Sequence, residues 1–162
     1  MLIKKANSSD IKEIVKLWLD FMNEHDQIIF KNDHRLEEFE AKRKDMGEKY
    51  KTFIKTYIGS KNGAVFLIAE NNNIIGYALV FIKNEIPIYK CKRIGYISDL
   101  YIKNNFRNKG LSTELKNQIM AWFKTKKITY VAVPLYSANK KAYSIYKNWG
   151  FFDYKVEMRI KI

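Results

Sequence analysis

A segment in the second half of the chain has the residue types that bind phosphate. Residues 94–102 are typical of a strand, and residues 111–123 carry apolar side chains at helical spacing. Arg107-Asn108-Lys109-Gly110 connects the two and would place two cations and a glycine where a helix begins. Unpaired N–H groups and the positive end of the helix dipole meet there, so the pattern predicts a pyrophosphate cradle. The spacing matches neither Gly-x-x-x-x-Gly-Lys-Ser/Thr nor Gly-x-Gly-x-x-Gly.

A second segment follows, and the two together carry a resemblance. It contains Asn139, Ala142, Ile145, Tyr146, Trp149, Gly150 and Phe151. These residues resemble the Asn-x-x-Ala-x-x-Leu-Tyr-x-x-x-Gly-Phe signature of the GNAT superfamily of N-acetyltransferases. Residues 107–112 resemble that family's Arg/Gln-x-x-Gly-x-Gly/Ala acyl-CoA loop, and the two motifs occur in the family's order and at its usual separation. Ser112 departs from the usual final Gly or Ala, and we expect its small side chain to be tolerated.

The resemblance implies a fold, a co-substrate and a reaction. The fold would be a single α/β domain over residues 1–162, with a mixed, mostly antiparallel sheet flanked by helices and splayed central strands that bind acyl-CoA. The reaction would transfer an acetyl group from acetyl-CoA, the co-substrate, to a primary amine by direct attack in a ternary complex. The acceptor could be a polyamine, an aminoglycoside-like compound, an amino acid or a protein amino group.

The resemblance also implies which residues bind the co-substrate. Backbone groups of the fourth strand would hold the pantetheine arm, with the Leu100 N–H as an oxyanion donor. The implied cofactor-binding residues are Leu100, Tyr101, Ile102, Arg107, Asn108, Lys109, Gly110, Leu111, Ser112, Asn139 and Tyr146.

Two residues are candidates for the proton transfers that thioester aminolysis requires. Tyr146 matches the family's general acid at the CoA sulfur, and a phenol with an ordinary pKa of about 10 is protonated at neutral pH. Asp99 is the nearest candidate for the general base; a water chain, or Glu24 or Asp26, is the alternative. Strand alternation places Asp99 on the face opposite Leu100 unless a bulge intervenes, and a structural role for Asp99 stays open.

Glu24 and His25 are candidate residues for acceptor binding. They lie where the family's first two helices form one wall of the acceptor pocket. Acidic side chains there would suit a cationic amine, and His25 could relay a proton. The alternative is a solvated loop, because residues 23–33 have the polar composition of a connection.

The elements that must position these residues can be predicted from periodicity. We expect strands over 2–5, 64–70, 74–83, 94–102, 128–135 and 154–162, and helices over 11–22, 35–58, 111–123 and 139–149. Residues 71–73, all Asn, predict a tight hairpin with positive φ. Asp10 and Glu13 resemble a capping box, and Gly150 is placed to end the last helix. The order β-α-α-β-β-β-α-β-α-β predicts a mixed α/β domain.

Composition narrows the class of protein. The 162 residues carry 30 basic and 17 acidic side chains, and 47% apolar residues exclude intrinsic disorder. Cys91 alone forms no internal disulfide, and with only two histidines in the chain no metal site is predicted. Neither a signal peptide nor a membrane span is predicted, which favours a cytoplasmic protein without a membrane partner.

The net charge of +13 is concentrated in residues 61–162, since residues 1–60 carry nearly equal numbers of basic and acidic side chains. An anionic partner for the second part is expected, and acetyl-CoA is such a partner. The alternative functions are a basic nucleic-acid-associated module, suggested by residues 90–93 and 124–127, and an acyl-CoA-binding domain without catalysis. The family resemblance and the apolar C-terminal strand also allow a homodimer.

Overall fold

The computed structural model describes residues 1–162, and one five-stranded sheet lies at its centre. The strands are β1 (Leu2–Lys5), β2 (Gly63–Glu70), β3 (Asn73–Asn84), β4 (Arg93–Ile102) and β5 (Val131–Ala132). They lie in the order β1-β2-β3-β4-β5, and all neighbours are antiparallel except β4 and β5, which are parallel. The β2–β3 hairpin turns at Asn71 and Asn72, both with the positive φ that the sequence predicts. The predicted mixed, mostly antiparallel sheet is confirmed.

Helices cover both faces of the sheet. They are α1 (Ile11–Asn32), α2 (Leu36–Phe39), α3 (Met46–Lys55), α4 (Leu111–Thr125) and α5 (Lys140–Asn148). One core lies between the sheet and α4, where Leu115 and Phe123 are buried, and a second lies between the sheet and α1 and α3, where Ile14 and Ile54 are buried. None of the helices combines the length and the apolar character that crossing a membrane requires.

The first helix is longer than the sequence predicts. The expected polar connection over residues 23–33 is wrong, because α1 continues to Asn32. Ile29 is completely buried in this last part of the helix, so the apolar stripe extends beyond the predicted range 11–22. Glu24 and His25 therefore lie on a helix and not in a solvated loop.

Two further helix predictions in the first half of the chain need correction. The expected helix over residues 35–58 is broken into α2 and α3, because the charged run 42–45 between them offers no apolar side chain to bury. The capping box pairs Asn7 with Asp10 across a 3-10 turn, rather than Asp10 with Glu13.

A bulge in β4 decides which residues face which helices. The register between β3 and β4 shifts by one residue there, and Ser98 lies between the paired positions Ile97 and Asp99. The extra residue reverses the alternation of the strand, so Tyr96 and Asp99 both face α1 and α3. Leu100 packs against the core beside α4, so Asp99 and Leu100 lie on opposite faces, as predicted.

The strands β4 and β5 separate soon after they meet. They pair at two positions only, at Gly95 and Tyr96 of β4. From residue 97 to residue 102, the edge of β4 that faces β5 has no strand beside it. The predicted strand over 128–135 is therefore reduced to two residues, and the splayed central strands implied by the resemblance are present.

The predicted strand over residues 154–162 is wrong for the single chain. Gly150, with φ of 90°, ends α5 as predicted, but the chain then leaves without joining the sheet. Every residue from 152 to 162 is exposed. A strand needs a neighbour for its backbone N–H and C=O groups, and β5 is too short to serve as one.

Candidate active site

The loop between β4 and α4 presents a row of free backbone donors. The N–H groups of residues 108–112 donate to no atom of the protein. Asn108 and Gly110 have φ of 62° and 76°, the conformation with which a loop forms an anion-binding concavity. Helix α4 begins at Leu111, so the positive end of its dipole lies at the same position. This arrangement suits the phosphates of the predicted cradle.

Among residues 108–112, Gly110 has a backbone conformation that selects glycine. Its φ of 76° is in the left-handed region, where any residue with a Cβ is strained. A Cβ built at this position would meet no atom within 4 Å, so the backbone conformation and not crowding selects glycine. Gly59, between α3 and β2, has φ of 78° and equally open surroundings.

Arg107 points away from this row, toward α1. Its guanidinium donates to both carboxylate oxygens of Glu24, one of them at 2.8 Å, and its Nε donates to the Ile102 carbonyl at 2.7 Å. Through this hydrogen bond Arg107 lowers the pKa of the Glu24 carboxyl. The pair ties α1 to the end of β4. The sequence assigned Arg107 to the phosphates and Glu24 to the acceptor; in the structure these two side chains neutralise each other.

Asp99 accepts hydrogen bonds from three hydroxyl groups. Tyr50 of α3 donates at 2.6 Å, Tyr77 of β3 at 3.2 Å and Ser98 at 3.1 Å. Burial raises the pKa of the Asp99 carboxyl above its ordinary value, although the three hydrogen bonds oppose the rise. A carboxylate with a raised pKa is a better proton acceptor than an ordinary one.

Among the carboxylates considered as the general base, only Asp99 has no cationic partner. Glu24 is paired with Arg107, and the Lys42 ammonium lies 2.6 Å from the nearer carboxylate oxygen of Asp26. The structure therefore favours Asp99 over the two alternatives.

Tyr146, on α5, is buried among aromatic side chains. Its ring meets those of Trp149 and Phe151 edge-on, with centroids 5.2 and 5.5 Å away. Burial, and then the negative charge of Asp99, raises the pKa of the Tyr146 phenol. The Tyr146 hydroxyl is protonated at neutral pH and can donate.

A shallow surface depression of about 310 Å³ lies on the α1/α3 side of the molecule. It is lined by Trp18, Arg43, Met46, Lys49, Tyr50 and Phe53. The Tyr50 ring stacks on Trp18 with centroids 4.1 Å apart, while the Tyr50 hydroxyl binds Asp99. The Tyr50 side chain thus connects this depression to the Asp99 carboxylate.

His25 belongs to a separate aromatic cluster between α1 and the loop after β5. Its ring packs edge-on against Phe21 and Tyr136, with centroids 5.7 and 4.9 Å away. Burial lowers the pKa of His25, which favours the neutral imidazole at pH 7. The Tyr136 hydroxyl donates to Glu40 at 2.6 Å, which ties the loop after β5 to the segment after α2.

Asn139 has a structural contact that explains its type. Its side chain caps α5 by accepting the Ala142 N–H at 3.1 Å, and in this way it fixes the start of the helix that carries Tyr146.

Sequence reasoning missed Tyr50 and Tyr77 as site residues. Tyr50 lies on an apolar helical stripe and Tyr77 in an apolar strand, and both patterns predict core residues. Their hydroxyl groups reach Asp99 across 49 and 22 residues of chain, and no local spacing signals such a contact.

Comparison with known proteins gives one family. A model described as the acetyltransferase (GNAT) family matches residues 18–151. A search of curated proteins finds no match.

Solved structures share the fold along the whole chain. A tetramutant of the BH1408 protein from Bacillus halodurans superposes with a TM-score of 0.81 at 18% identity, covering 100% of both chains. A predicted acetyltransferase from Clostridium acetobutylicum, solved with acetyl-CoA, has a TM-score of 0.73 at 19% identity, covering 99% of this chain and 95% of that one. An aminoglycoside 6'-N-acetyltransferase from Acinetobacter haemolyticus has a TM-score of 0.74 at 18% identity, covering 100% of this chain and 99% of that one.

Proposed function

Since the chain belongs to the acetyltransferase (GNAT) family, we propose that it transfers the acetyl group of acetyl-CoA to a primary amine by direct attack in a ternary complex. The observation that carries the proposal is the opening between β4 and β5. The free N–H groups of residues 108–112 follow the end of β4, and Asp99 lies on the same strand, where its negative charge acts on the buried Tyr146 phenol.

The phosphates of acetyl-CoA fit the row of free N–H groups. Such a row, at the start of α4, binds anions without any cationic side chain. Lys109 adds a positive charge near the phosphates. Arg107 instead ties α1 to the end of β4 through its ion pair with Glu24. The pantetheine arm would lie along residues 97–102, where the edge of β4 is open.

Three groups of this chain then perform the transfer. An alkyl ammonium has an ordinary pKa of about 10.4, so the acceptor must lose a proton before it attacks, and Asp99 accepts that proton directly or through water. The Leu100 N–H donates to the oxyanion that forms on the thioester carbonyl. The Tyr146 hydroxyl donates its proton to the sulfur as the thiolate leaves.

The acceptor would approach from the side of α1 and α3, because Asp99 faces those helices. His25 and Tyr136 form one wall of this approach, and Glu24 takes part indirectly, by holding α1 to the loop. The Acinetobacter neighbour is an aminoglycoside acetyltransferase by name. We propose that the acceptor of this chain is, more generally, a small-molecule or peptide amine. We also propose that the enzyme is cytoplasmic and that it forms a homodimer.

The test is a screen of amine acceptors that follows the release of free CoA from acetyl-CoA. The panel holds polyamines, aminoglycosides, amino acids and peptides. We expect saturable CoA release with at least one class and only slow hydrolysis without an acceptor. Acetyl-CoA binding without turnover on any class would leave a binding domain instead, and failure to bind acetyl-CoA would contradict the proposal as a whole.

A further inference from the structure

The two basic runs of the sequence meet at one end of the sheet, opposite the loop between β4 and α4. The run 90–93 leads into β4, and the Gly95 N–H donates to the Tyr130 carbonyl at 3.0 Å. A Cβ built at Gly95 would lie 2.6 Å from the Phe123 ring, so the last turn of α4 packs against the start of β4. This packing brings the run 124–127 to the same end.

Nine cations surround this end of the sheet, and we call the surface that they form the basic end. They lie at the ends of β1, β3 and α4 and just before or at the start of β2 and β4: Lys5, Lys61, Lys83, Lys90, Lys92, Arg93, Lys124, Lys126 and Lys127. None of them forms an ion pair with a carboxylate. Uncompensated charges of one sign on one surface favour a partner of the opposite sign.

Acetyl-CoA in the proposed cradle is too distant to be this anionic partner. Helix α4 begins at the cradle and ends at the basic end, and its 15 residues span about 22 Å. At physiological ionic strength, charges are screened over about 8 Å. The basic end therefore requires an anionic partner of its own.

An apolar turn projects from the basic end. It consists of Ile86-Pro87-Ile88-Tyr89, and the Tyr89 N–H donates to the Ile86 carbonyl at 3.1 Å. The base of the loop is closed by the Glu85 N–H, which donates to the Lys92 carbonyl at 2.9 Å. Ile88 is 80% exposed, Ile86 58% and Tyr89 49%. Single exposed apolar side chains are ordinary on a protein surface, but three within one hydrogen-bonded turn indicate a contact surface.

We propose that the basic end docks on a bilayer that contains anionic lipids, with the apolar turn inserted among the lipid headgroups. The ammonium groups around the turn would bind lipid phosphates. Tyr89 and Tyr130, the latter 59% exposed, are of the residue type that lies at membrane interfaces. The absence of a membrane-spanning segment led us to expect no membrane partner, but contact with a bilayer surface requires no such segment.

A nucleic acid is the other polyanion that this charge could bind, but the apolar turn favours a bilayer. Aliphatic side chains such as Ile86 and Ile88 have no counterpart on a phosphate backbone, whereas a bilayer interface accommodates them. Eight of the nine cations are lysines, which act as point charges, and only Arg93 has the planar group that reads base edges.

Co-sedimentation of the full-length chain with lipid vesicles tests the proposal. The probes are vesicles of phosphatidylcholine alone and vesicles in which about one third of the lipid is phosphatidylglycerol. We expect binding to the anionic vesicles at about 0.1 M salt, several-fold weaker binding at about 0.5 M, and no binding to the neutral vesicles. A chain that does not bind the anionic vesicles at the lower salt concentration would overturn the proposal.

Variants at the tip of the turn test its insertion. Ile88→Ser should weaken binding to the anionic vesicles about tenfold, because it removes an apolar side chain without changing the charge. Ile88→Leu retains an apolar side chain and should bind like the wild type. Wild-type affinity in Ile88→Ser would contradict the insertion of the turn.

A matched pair of double variants tests the position of the charges. Lys90→Gln combined with Lys92→Gln should weaken binding about tenfold or more. Lys31→Gln combined with Lys44→Gln removes two exposed cations that lie outside the basic end, and its effect should stay within about twofold. Equal losses in the two double variants would show that net charge alone, and not the basic end, attracts the vesicles, and would overturn the proposal.

A single-stranded oligonucleotide measured in parallel distinguishes the two polyanions. Retention on the oligonucleotide without binding to the anionic vesicles would assign the basic end to nucleic acid and overturn the proposal. Acetyl-CoA affinity in Ile88→Ser should equal that of the wild type, because the cradle and the basic end lie at opposite ends of α4. A wild type that binds anionic vesicles but not acetyl-CoA would contradict the proposed function and support the bilayer contact.

Discussion

Tyr146 and Asp99 have opposite tasks in the proposed reaction, and burial gives each the environment that its task requires. Burial raises the pKa of both groups. For Tyr146 this keeps the phenol protonated, as a donor to the leaving thiolate must be. For Asp99 it strengthens the affinity of the carboxylate for a proton, as an acceptor of the amine's proton requires.

We predict that Tyr146→Phe lowers kcat about 100-fold, the usual size of a lost general acid, and leaves the affinity for acetyl-CoA within about twofold. The ring, which packs against Trp149 and Phe151, is retained, so only the proton donor is lost. Steady-state kinetics and calorimetric titration measure the two quantities. Tyr143→Phe on the same helix is the control, and an unchanged kcat in Tyr146→Phe would remove its assigned role.

We predict that Asp99→Asn lowers kcat by about 100-fold without lowering Tm at pH 7. A carboxyl whose pKa is raised by folding stabilises the fold below its ordinary pKa, and this stabilisation is lost as the pH rises through the folded pKa. At neutral pH the buried, ionised carboxylate therefore lowers the stability of the fold, and the neutral amide of the variant avoids this loss. The advantage in Tm of the variant should shrink as the pH is lowered toward about 4, near the ordinary pKa of an aspartate. A variant with wild-type kcat would show that Asp99 is only structural.

The site could be predicted from the sequence only where its residues follow one another closely. The glycine at position 110 and the tyrosine at position 146 are recognisable because local spacing places them after a strand and on a helix. Arg107 and Glu24 are 83 residues apart in the sequence, so their pairing has no local signal. This pairing turns Arg107 away from the proposed phosphate site, and only the tertiary structure shows it.

At the scale of elements, the bulge in β4 and the turn into α4 position the chemistry. The bulge at Ser98 turns Asp99 toward α1 and α3, whereas the turn at Gly110 orders the free N–H groups. Both are features of the backbone, and neither depends on a long side chain.

We predict that Gly110→Ala weakens acetyl-CoA binding about tenfold, because a Cβ at φ of 76° strains the turn that aligns the N–H groups. Gly59→Ala is the matched control, with a φ of 78° and no atom near its Cβ. Both variants should lose a similar amount of stability in thermal melts, on the order of 1 kcal/mol. Equal acetyl-CoA affinities in the two variants would contradict the assignment of the cradle.

Hydrophobic periodicity predicted the helices and strands that bury a regular apolar stripe. It failed where contacts between distant parts of the chain determine the local structure. The strands β2, β3 and β4 and the helices α4 and α5 lie close to their predicted bounds. The last part of α1 was missed because its polar side chains mask Ile29. The strand predicted over 154–162 has the right alternation but lacks a neighbour in its own chain.

At the scale of the whole molecule, the charge distribution matches the proposed co-substrate only in part. Acetyl-CoA carries about three to four negative charges, and its proposed site lies within residues 97–151, in the basic part of the chain. The basic runs at 90–93 and 124–127 exceed what such a ligand needs, and the structure gives them no acidic partner.

We predict that acetyl-CoA binding weakens several-fold as ionic strength rises from about 0.05 to 0.5 M, because salt screens the attraction between the basic part of the chain and the phosphates. Calorimetric titration at several salt concentrations measures this. Neutralising residues 90–93 should reduce the salt dependence less than neutralising Lys109, which lies in the cradle loop. An affinity independent of salt would show that the basic excess does not serve acetyl-CoA.

The most direct test is to follow an isotopically labelled acetyl group from acetyl-CoA by mass spectrometry, with the acceptor identified in the screen. We predict labelled acetyl on the acceptor's amine in amounts equal to the free CoA released, with no label on the protein, and a large loss of both products in Tyr146→Phe and Asp99→Asn. CoA release without a labelled acceptor, or label retained on the protein as an intermediate, would contradict direct transfer from acetyl-CoA to an amine.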